Sequence, residues 1–396
     1  MFESLEQLSP DPILGLMAAF REDTRTQKID LGVGVYRNEA GDTPIMQCVI
    51  EAEQRRHDTE TTKTYIGPPG TPEFNVAARG LMFGAQHAVL KDNRVAGVQT
   101  PGGCGALRVG AELIKRARPQ TTIWVSAPTW ANHVPLLGNA GLAIKEYDYY
   151  DKSTHGLNAD AMMAALAEVP NGDIVLLHGC CHNPSGVDLK PEHWDAVGRL
   201  ANQRGFTPFI DLAYQGLGDG LEADALGVRV LANACPELIV ASSYSKNFGL
   251  YRERVGALQL VSPNSAQTGI VQSQLASVVR GIYSMPPAHG AALVEIILGD
   301  EALHASWIAE LDGMRQRING LRDLLAQRLG ERTGQDFGFI REQRGMFSFL
   351  GISQAQVERL REEFGIYMVD SSRINVAGVN GANIDHFVES MGRILD

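Results

Sequence analysis

The chain has 396 residues, of which 44% are hydrophobic and 20% charged, a composition typical of a folded protein with a large core. Its formal net charge of −11 argues against nucleic acid or an anionic membrane surface as a partner, because both attract clustered cations. Small anionic substrates remain compatible with this charge, since a local group of arginines can oppose it. At about 150 residues per domain, we expect two domains.

The chain contains five cysteines, an odd number without zinc-type spacing: Cys48, Cys104, Cys180, Cys181 and Cys235. This number and spacing of cysteines favours a reduced, intracellular protein. Residues 1–12 carry acidic side chains and no cationic segment followed by an apolar stretch, so we predict no secretory signal. No run approaches the roughly 18 apolar residues of a membrane span. We therefore expect a cytoplasmic protein.

The first third of the chain offers two glycine-containing segments that suit ligand binding. After a polar arm (residues 1–12), which packs on a partner subunit or is disordered, a helix is predicted over residues 12–20. Gly34 lies in an apolar segment where the backbone could approach a ligand, or where a strand edge turns. Gly103 and Cys104 belong to a glycine-rich turn before a helix predicted over residues 106–118, an arrangement that suits phosphate but also occurs for steric reasons.

From there, short apolar runs alternate with helical patterns. The predicted strands are residues 122–126, 173–177, 207–210, 237–241 and 255–260, and the predicted helices include 160–166 and 191–204. This alternation predicts an α/β domain with a mostly parallel sheet, whose ligands bind beyond the carboxyl ends of the strands. A long amphipathic helix follows over residues 301–329, with a kink expected near Gly313 or Gly320, and the remainder is typical of a smaller α/β lobe.

Lys246 follows one of these strands among small hydroxyl residues, with Arg254 eight positions further on. An amine beside hydroxyls and a guanidinium is what pyridoxal phosphate requires, for its aldehyde and its phosphate respectively. Taken alone, the pattern is more typical of an exposed lysine in a polar loop. Asp211 comes after another strand, where it could pair with a pyridinium N–H or cap a helix, and Tyr214 could bind the ring oxygen.

The segment 178–186 holds two histidines and two cysteines, but no second ligand pair with zinc-type spacing follows, so we do not predict a metal site. Asn183, before Pro184, is better explained as an amide that a turn directs into the crevice. Trp130 would be a flat apolar group at the same face, or a core residue.

These segments together resemble the fold-type I pyridoxal phosphate aminotransferases, most closely the aspartate/aromatic subfamily of class I, from residues 11–14 to residues 372–378. The resemblance implies a large domain with a mostly parallel seven-stranded sheet between helices and a smaller α/β domain. We expect residues 1–12 to form an arm, 13–43 with 313–396 the small domain, and 44–312 the large cofactor-binding domain.

The resemblance also implies the site. Lys246 would bond the cofactor aldehyde, Asp211 the pyridine nitrogen with support from His133, and Tyr214 and Asn183 the ring oxygen. Trp130 would stack on the cofactor ring, and Arg373 would bind the substrate α-carboxylate with help from Gly34, Trp130 and Asn183. The phosphate would lie among Gly103, Cys104, Ser243, Ser245, Arg254 and, from the neighbouring subunit of a homodimer with shared sites, Tyr65.

In this family an arginine of the partner subunit selects the class of substrate by binding the distal carboxylate of aspartate or glutamate. The resemblance assigns this role to Arg280. The resemblance therefore implies transamination of L-aspartate with 2-oxoglutarate, extending to aromatic amino acids; the alternative is an enzyme acting primarily on tyrosine and phenylalanine. Cys104 stands where the family usually has Thr or Ser, Met285 where strict aspartate enzymes carry Asn, and Ser185 where Thr is more common. A decarboxylase or lyase would not need both arginines, and a non-catalytic binding protein would not need Lys246 and Asp211.

Overall fold

The computed structural model describes residues 1–7 and 12–396. Residues 8–11, part of the predicted arm and of the first family motif, lie outside the described residues. The chain divides into two compact units, the smaller comprising Met1–Thr43, Ile318–Glu342 and Met346–Asp396, the larger Pro44–Arg317 and Gln343–Gly345. The assignment of residues 13–43 with 313–396 and of 44–312 as functional domains stays a prediction.

The helices are α1 (Pro12–Glu22), α2 (Gln47–Thr59), α3 (Pro72–Phe83), α4 (Ala88–Lys91), α5 (Gly102–Ala117), α6 (His133–Gly138), α7 (Ala159–Leu166), α8 (Pro191–Arg204), α9 (Leu221–Asp224), α10 (Leu226–Ala234), α11 (Ser265–Ile282), α12 (Ala288–Gly299), α13 (Glu301–Thr333), α14 (Phe339–Glu342), α15 (Gln354–Phe364) and α16 (Ile384–Leu395). Two short 3-10 turns cover Phe2–Ser4 and Val376–Gly378. None of the described helices is both long and apolar enough to cross a membrane.

The strands are β1 (Ile29–Asp30), β2 (Val95–Pro101), β3 (Thr122–Ala127), β4 (Ala143–Asp148), β5 (Tyr150–Asp151), β6 (Gly156–Leu157), β7 (Ile174–His178), β8 (Thr207–Leu212), β9 (Leu238–Ser243), β10 (Val255–Val261), β11 (Phe347–Phe349), β12 (Ile366–Tyr367) and β13 (Arg373–Asn375). The large unit contains a seven-stranded sheet in the order β2-β10-β9-β8-β7-β3-β4. The predicted mostly parallel, seven-stranded sheet is therefore confirmed.

Strand β10 is the exception to the parallel arrangement. It pairs antiparallel with both of its neighbours, β2 and β9, while the pairs from β9 to β4 are parallel. Strands β7, β9 and β10 are buried along their whole length, which explains why they appear in the sequence as continuous apolar runs. Helix α5 packs on β2, β9 and β10, and its apolar face joins the core of this unit.

Two strands extend further than the apolar pattern predicts. Strand β8 continues to Leu212, and β9 continues to Ser243. The polar residues at these ends still take their place in the ladder, with Asp211 opposite Ala241 and Ser243 opposite Gly256. The apolar pattern ended too early because backbone pairing does not depend on an apolar side chain. Asp211 lies within strand β8, so the alternative that it caps a helix is wrong.

The smaller unit is built on two short strand pairs. Strand β1 pairs parallel with β12, and β11 pairs antiparallel with β13. Apolar side chains of α13, α15 and α16 form the core of this unit together with these strands. Helix α13 is continuous from Glu301 to Thr333, through both glycines at which a kink was expected, and it contributes residues to both units.

Candidate active site

Four segments with polar side chains meet at one edge of the seven-stranded sheet. Strands β2, β8 and β9 end there, and β10 begins there because it runs in the opposite direction. The glycine-rich turn after β2, Asp211 in β8, the segment after β9 and Arg254 before β10 are thereby brought together. This edge is where ligands bind in open α/β sheets.

Lys246 lies in the turn between β9 and β10. The turn is closed by hydrogen bonds from the Tyr244 N–H to the Val255 carbonyl (3.0 Å) and from the Gly249 N–H to the Lys246 carbonyl (3.2 Å). The Lys246 Nζ lies 4.8 Å from the centroid of the Tyr214 ring. Burial lowers the pKa of Lys246, and the Asp211 carboxylate opposes this effect only in part. The site therefore favours a neutral, nucleophilic amine more than water does.

Asp211 is buried, and its Oδ2 lies 2.9 Å from the Nε2 of the fully buried His133. Burial by itself would raise the pKa of Asp211. The hydrogen bond from His133 and the nearby Lys246 amine outweigh that effect, so the pKa of Asp211 is below its ordinary value. Asp211 is thus held as a carboxylate in the interior, ready to accept a hydrogen bond from a ring N–H.

A chain of hydrogen bonds continues behind His133. Its Nδ1 lies 2.8 Å from the Thr129 hydroxyl, which lies 3.2 Å from Nε2 of His178, and Nδ1 of His178 accepts the Asn183 N–H at 3.4 Å. Burial lowers the pKa of His178 to about 3, so this ring is neutral near pH 7.

These contacts fix the direction of every donor in the chain. Since Nδ1 of His178 accepts, its Nε2 carries the proton and donates to Thr129, whose hydroxyl then donates to Nδ1 of His133. His133 is left with its proton on Nε2, where it donates to Asp211. The sequence analysis placed His133 near Asp211 but missed the roles of Thr129 and His178, which no local motif signals.

The turn after β2 forms a cradle that only glycine allows. A Cβ at Gly102 (φ 71°) would lie 2.5 Å from Nη2 of Arg254, and a Cβ at Gly103 would lie 3.1 Å from Cβ of Ser243. Helix α5 begins at Gly102, and its capping position, Pro101, provides no side-chain hydrogen bond. The N–H groups of the first turn and the positive end of the helix dipole are therefore available to an anion.

Two serines and an arginine complete this anion site. The Ser243 hydroxyl lies 3.1 Å from that of Ser245 and accepts the Ser245 N–H at 3.3 Å. Arg254 Nη1 donates to the Tyr251 carbonyl at 3.0 Å and lies 3.4 Å from the Ser245 hydroxyl. Cys104, in the first turn of α5, is half-buried, and its Sγ lies 3.9 Å from Nδ2 of Asn132. These donors suit a phosphate dianion.

Asn183 is buried in the segment after β7, and half-buried Asp188 holds that segment in place. The two carboxylate oxygens of Asp188 accept the N–H groups of Cys181 (2.7 Å) and His182 (2.8 Å). Burial raises the pKa of Asp188 to about 7 although these bonds oppose the effect. Asp224 supports the segment after β8 in the same way, since it accepts the N–H groups of Gly216, Gly218 and Asp219.

The histidines and cysteines of this region have other partners than a metal. His182 lies within hydrogen-bond distance of the hydroxyls of Ser126 (3.0 Å) and Ser185 (2.8 Å). The ligand atoms of Cys180, Cys181 and Asp224 come within 4.8 Å of one another. However, the hydrogen bond with Cys181 and burial raise the pKa of Cys180 well above its ordinary value, which disfavours the thiolate that metals bind.

Within the smaller unit, Arg373 and Gly34 lie close to the same aromatic ring. The Arg373 guanidinium carbon lies 4.3 Å from the Phe347 ring centroid, and its Nη2 donates to the Gly32 carbonyl at 2.7 Å. A Cβ at Gly34 would lie 2.7 Å from Cζ of Phe347, so only glycine fits there. The sequence analysis did not identify Phe347, which stacks on the buried guanidinium and fixes its plane.

The other predicted site residues are Trp130, Tyr65 and Arg280. Trp130 packs against the core of the larger unit, with its ring 5.2 Å from that of His133 in an edge-on contact. Tyr65 is 93% exposed. Arg280, near the end of α11, is also exposed and hydrogen-bonds to Ser284. Within the described part of the chain, neither Tyr65 nor Arg280 hydrogen-bonds to another predicted site residue.

A lysine with a lowered pKa, a buried carboxylate and a phosphate cradle at the carboxyl edge of this sheet define a pyridoxal-phosphate-dependent transferase of fold type I. The residues fit that cofactor, since the cradle formed by Gly102, Gly103 and Arg254 leaves donors for its phosphate and Asp211 provides an acceptor for its ring nitrogen.

Comparison with known proteins identifies the family. The model of the family "Aminotransferase class I and II" matches residues 26–391, so the chain belongs to this family and is an aminotransferase that uses pyridoxal phosphate. It is 48% identical to the aspartate aminotransferase of Escherichia coli (strain K12) over 396 residues, which is 100% of both chains. It is also 48% identical to the aromatic-amino-acid aminotransferase of Paracoccus denitrificans over 385 residues, 97% of each chain.

The fold agrees with a solved structure of the same family. The aromatic-amino-acid aminotransferase of Burkholderia pseudomallei, covalently bound to pyridoxal phosphate, superimposes with a TM-score of 0.98 over 100% of both chains at 43% identity. The predicted family, fold class and cofactor are confirmed.

Proposed function

We propose that the protein catalyses transamination of L-aspartate with 2-oxoglutarate, giving oxaloacetate and L-glutamate, and that it also accepts aromatic amino acids. The observation that carries this proposal is the Lys246 amine, 4.8 Å from the Tyr214 ring centroid, at the same sheet edge as the His133-supported Asp211 carboxylate in a chain of this family. One relative named for aspartate and one named for aromatic amino acids are each 48% identical to it, while a second relative named for aromatic amino acids, from Escherichia coli (strain K12), is 44% identical.

In this proposal the chain's own residues bind and orient both reactants. Pyridoxal phosphate supplies an aldehyde for the amino group and a ring that accepts the electron pair released when the Cα–H bond breaks. Asp211 hydrogen-bonds the ring nitrogen, while Tyr214 and Asn183 bind the ring oxygen and Trp130 stacks on the ring. Gly103, Cys104, Ser243, Ser245 and Arg254 hold the phosphate.

Lys246 then has two roles, first as the covalent anchor and then as the group that moves the proton. Its Nζ, whose pKa is lowered by burial, removes the proton from the substrate Cα and returns it as an acid. Arg373, whose guanidinium plane is fixed by Phe347, binds the α-carboxylate and thereby orients the Cα–H bond, with Gly34 leaving room. The amino group is exchanged between two substrates in turn, so ping-pong kinetics are expected.

We further propose a homodimer in which each active site receives Tyr65 for the phosphate and Arg280 for the distal carboxylate from the partner subunit. The exposure of both side chains supports this proposal, because it leaves them accessible to a partner subunit. A cytoplasmic location is part of the same proposal, as is the division into a small domain (13–43 and 313–396) and a large domain (44–312).

A second candidate is an enzyme acting primarily on tyrosine and phenylalanine. Met285 favours it, because it replaces the Asn that strict aspartate enzymes carry close to Arg280 with an apolar side chain. The experiment that separates the two is a comparison of kcat/KM for aspartate, tyrosine and phenylalanine with 2-oxoglutarate. We expect aspartate to be the best substrate; a value for tyrosine or phenylalanine well above that for aspartate would favour the second candidate. Absence of turnover with all three would contradict both.

A further inference from the structure

A second site lies in the larger unit, in a groove of about 600 Å³. It is bounded by helix α3, the first turns of α11 and the start of β2. None of its lining residues belongs to the site described above. Its volume is within the range of small-molecule binding sites.

Arg79 in α3 is the one cation among the residues that line this groove. Its Nε is buried and has no hydrogen-bond acceptor, and no ion pair involves Arg79 in residues 1–7 and 12–396. Burial lowers the pKa of Arg79, and no neighbouring charge contributes to the shift. Arg79 is half-buried, so its guanidinium is partly removed from water without an anion, and an anion that enters the groove would gain an ion pair there.

The walls of the groove indicate what that anion carries. Val76, Leu90 and Val95 provide apolar surface, while Asn93 and Ser265 provide exposed amide and hydroxyl groups. A guanidinium matches a carboxylate in a planar, two-bonded geometry, and the apolar wall favours a hydrocarbon or aryl body attached to it. Inorganic phosphate would leave that wall unused.

We propose that this groove binds a monocarboxylate with an apolar body, held through its carboxylate by Arg79. The chemistry is that of an aryl- or alkyl-carboxylic acid, and the site is separate from the one that binds the amino-acid substrate. The proposal does not depend on the substrate preference of the enzyme.

Two glycines make the groove accessible to a test. Gly80 in α3 and Gly269 in α11 both line it, and a Cβ added at either would meet no atom within 4 Å. Both are in helices, where leucine is more favourable than glycine. Gly269→Leu therefore places an apolar side chain in the groove from a position whose Cβ has room.

The experiment is a titration of the holoenzyme with 4-fluorophenylacetate, followed by ¹⁹F NMR, with the substrate site filled by excess succinate. We expect saturable binding to the wild-type protein. Arg79→Gln should weaken it at least about tenfold, the scale of a lost charge-assisted hydrogen bond, and Gly269→Leu should abolish it. The matched control is Arg199→Gln, which removes an exposed arginine of α8 outside the groove and should leave the affinity unchanged.

The other outcomes decide against the proposal. No binding in the presence of succinate, or equal affinity in wild-type and Arg79→Gln proteins, would overturn it, as would tighter binding of inorganic phosphate than of the aryl acid. A stability measurement tests whether Arg79 has a structural role instead. Arg79→Met should raise the Tm of the holoenzyme measured without an added carboxylate, and a Tm below that of the wild type would show that Arg79 stabilises the fold. Aspartate turnover in Arg79→Gln should equal that of the wild type, so failure here leaves the proposed reaction unaffected.

Discussion

His133 donates from Nε2 to Asp211 Oδ2 across 2.9 Å, and it can do so only because the hydrogen bonds on its far side direct its proton there. The carboxylate is thereby kept ionised in the interior, where burial alone would favour its neutral form. The strength of Asp211 as an acceptor therefore depends on residues that touch neither cofactor nor substrate.

Replacing His133 with Phe removes that donor while keeping a ring in the buried position. We expect the pKa of Asp211 to rise, because burial is then opposed by fewer favourable interactions. The acid limb of the pH profile of kcat should move to higher pH, with kcat reduced about tenfold or more. His289→Phe, at an exposed histidine, is the control. An unchanged acid limb in His133→Phe would contradict this role.

Lys246 is predicted to destabilise the cofactor-free protein. Because burial lowers its folded-state pKa, the unfolded chain binds this proton more tightly, and the cost is present below the ordinary pKa of 10.5 and disappears above it. Lys246→Met should therefore raise the free energy of unfolding of the apoprotein at pH 7, with the difference shrinking as the pH approaches 10.5. The same variant should lose transamination by at least about 10²–10⁴-fold. Urea unfolding at several pH values measures the first effect; a difference independent of pH would refute it.

Cys104 should weaken the hold on the cofactor phosphate, since its S–H is a poorer donor than a hydroxyl. Cys104→Thr should tighten cofactor binding by roughly one added hydrogen bond, about 0.5–1.5 kcal/mol. Cofactor affinity measured by titrating the apoprotein provides the check, with Cys104→Ala as the variant that has neither donor. If the Cys104→Thr and Cys104→Ala variants bind the cofactor with equal affinity, the side chain at this position does not contact the phosphate.

Arg280→Ala tests both the substrate class and the shared site. We expect a large loss in kcat/KM for aspartate, on the order of 10²-fold or more, and a smaller loss for phenylalanine, which has no distal carboxylate. Equal losses would argue against Arg280 as the ligand of that carboxylate.

Subunit mixing then distinguishes shared sites from separate ones. Coexpressed Lys246→Ala and Arg280→Ala chains should regain about a quarter of the wild-type sites, since half of the dimers are mixed and each contains one intact site. Activity no higher than the mean of the two separate variants would mean that each chain completes its own site.

His178 should make the protein sensitive to acid. Burial lowers its pKa from 6.5 to about 3, so the unfolded chain takes up this proton first and stability is lost as the pH falls from 6.5 towards 3. His178→Gln should remove part of that loss, at most about 5 kcal/mol at the acid end of the window. The measurement is the free energy of unfolding across this range, with His57→Gln at an exposed position as control. A slope identical to that of the wild type would exclude this contribution.

Much of the fold and site could be predicted because the signals are local. The helix over 191–204 was predicted with the bounds that the structure shows, since proline opens it and glycine follows it. Strand β4 was missed because most of its side chains are exposed. Strand β2 is almost entirely buried, but it was missed because Gly97, Gln99 and Thr100 interrupt its apolar run. The family motifs pointed to Lys246, Asp211 and Arg254, and the structure places all three at one edge of the sheet: Lys246 after β9, Asp211 near the end of β8 and Arg254 just before β10.

The supporting residues could not be predicted, because their partners are far away in the sequence. Asp188 and Asp224 resemble any acidic residue of a surface loop, yet Asp224 is buried, Asp188 is half-buried, and each accepts two or three backbone N–H groups. Phe347 likewise became recognisable only when β11 was seen to pair with β13, which brings its ring under Arg373. The length of each predicted strand was limited by its apolar run, whereas the real strands include their functional polar ends.

The reversed direction of β10 has a consequence for how the protein can evolve and move. Lys246 and Arg254 lie in a single hairpin whose strands pair directly, Ser243 opposite Gly256. The distance between the proposed covalent anchor and the proposed phosphate anchor is thus set by one local connection, and we expect the two to move together. A residue inserted or deleted in this hairpin would alter both anchors at once, while loops elsewhere at this edge can change length, and with it substrate choice, without disturbing the spacing.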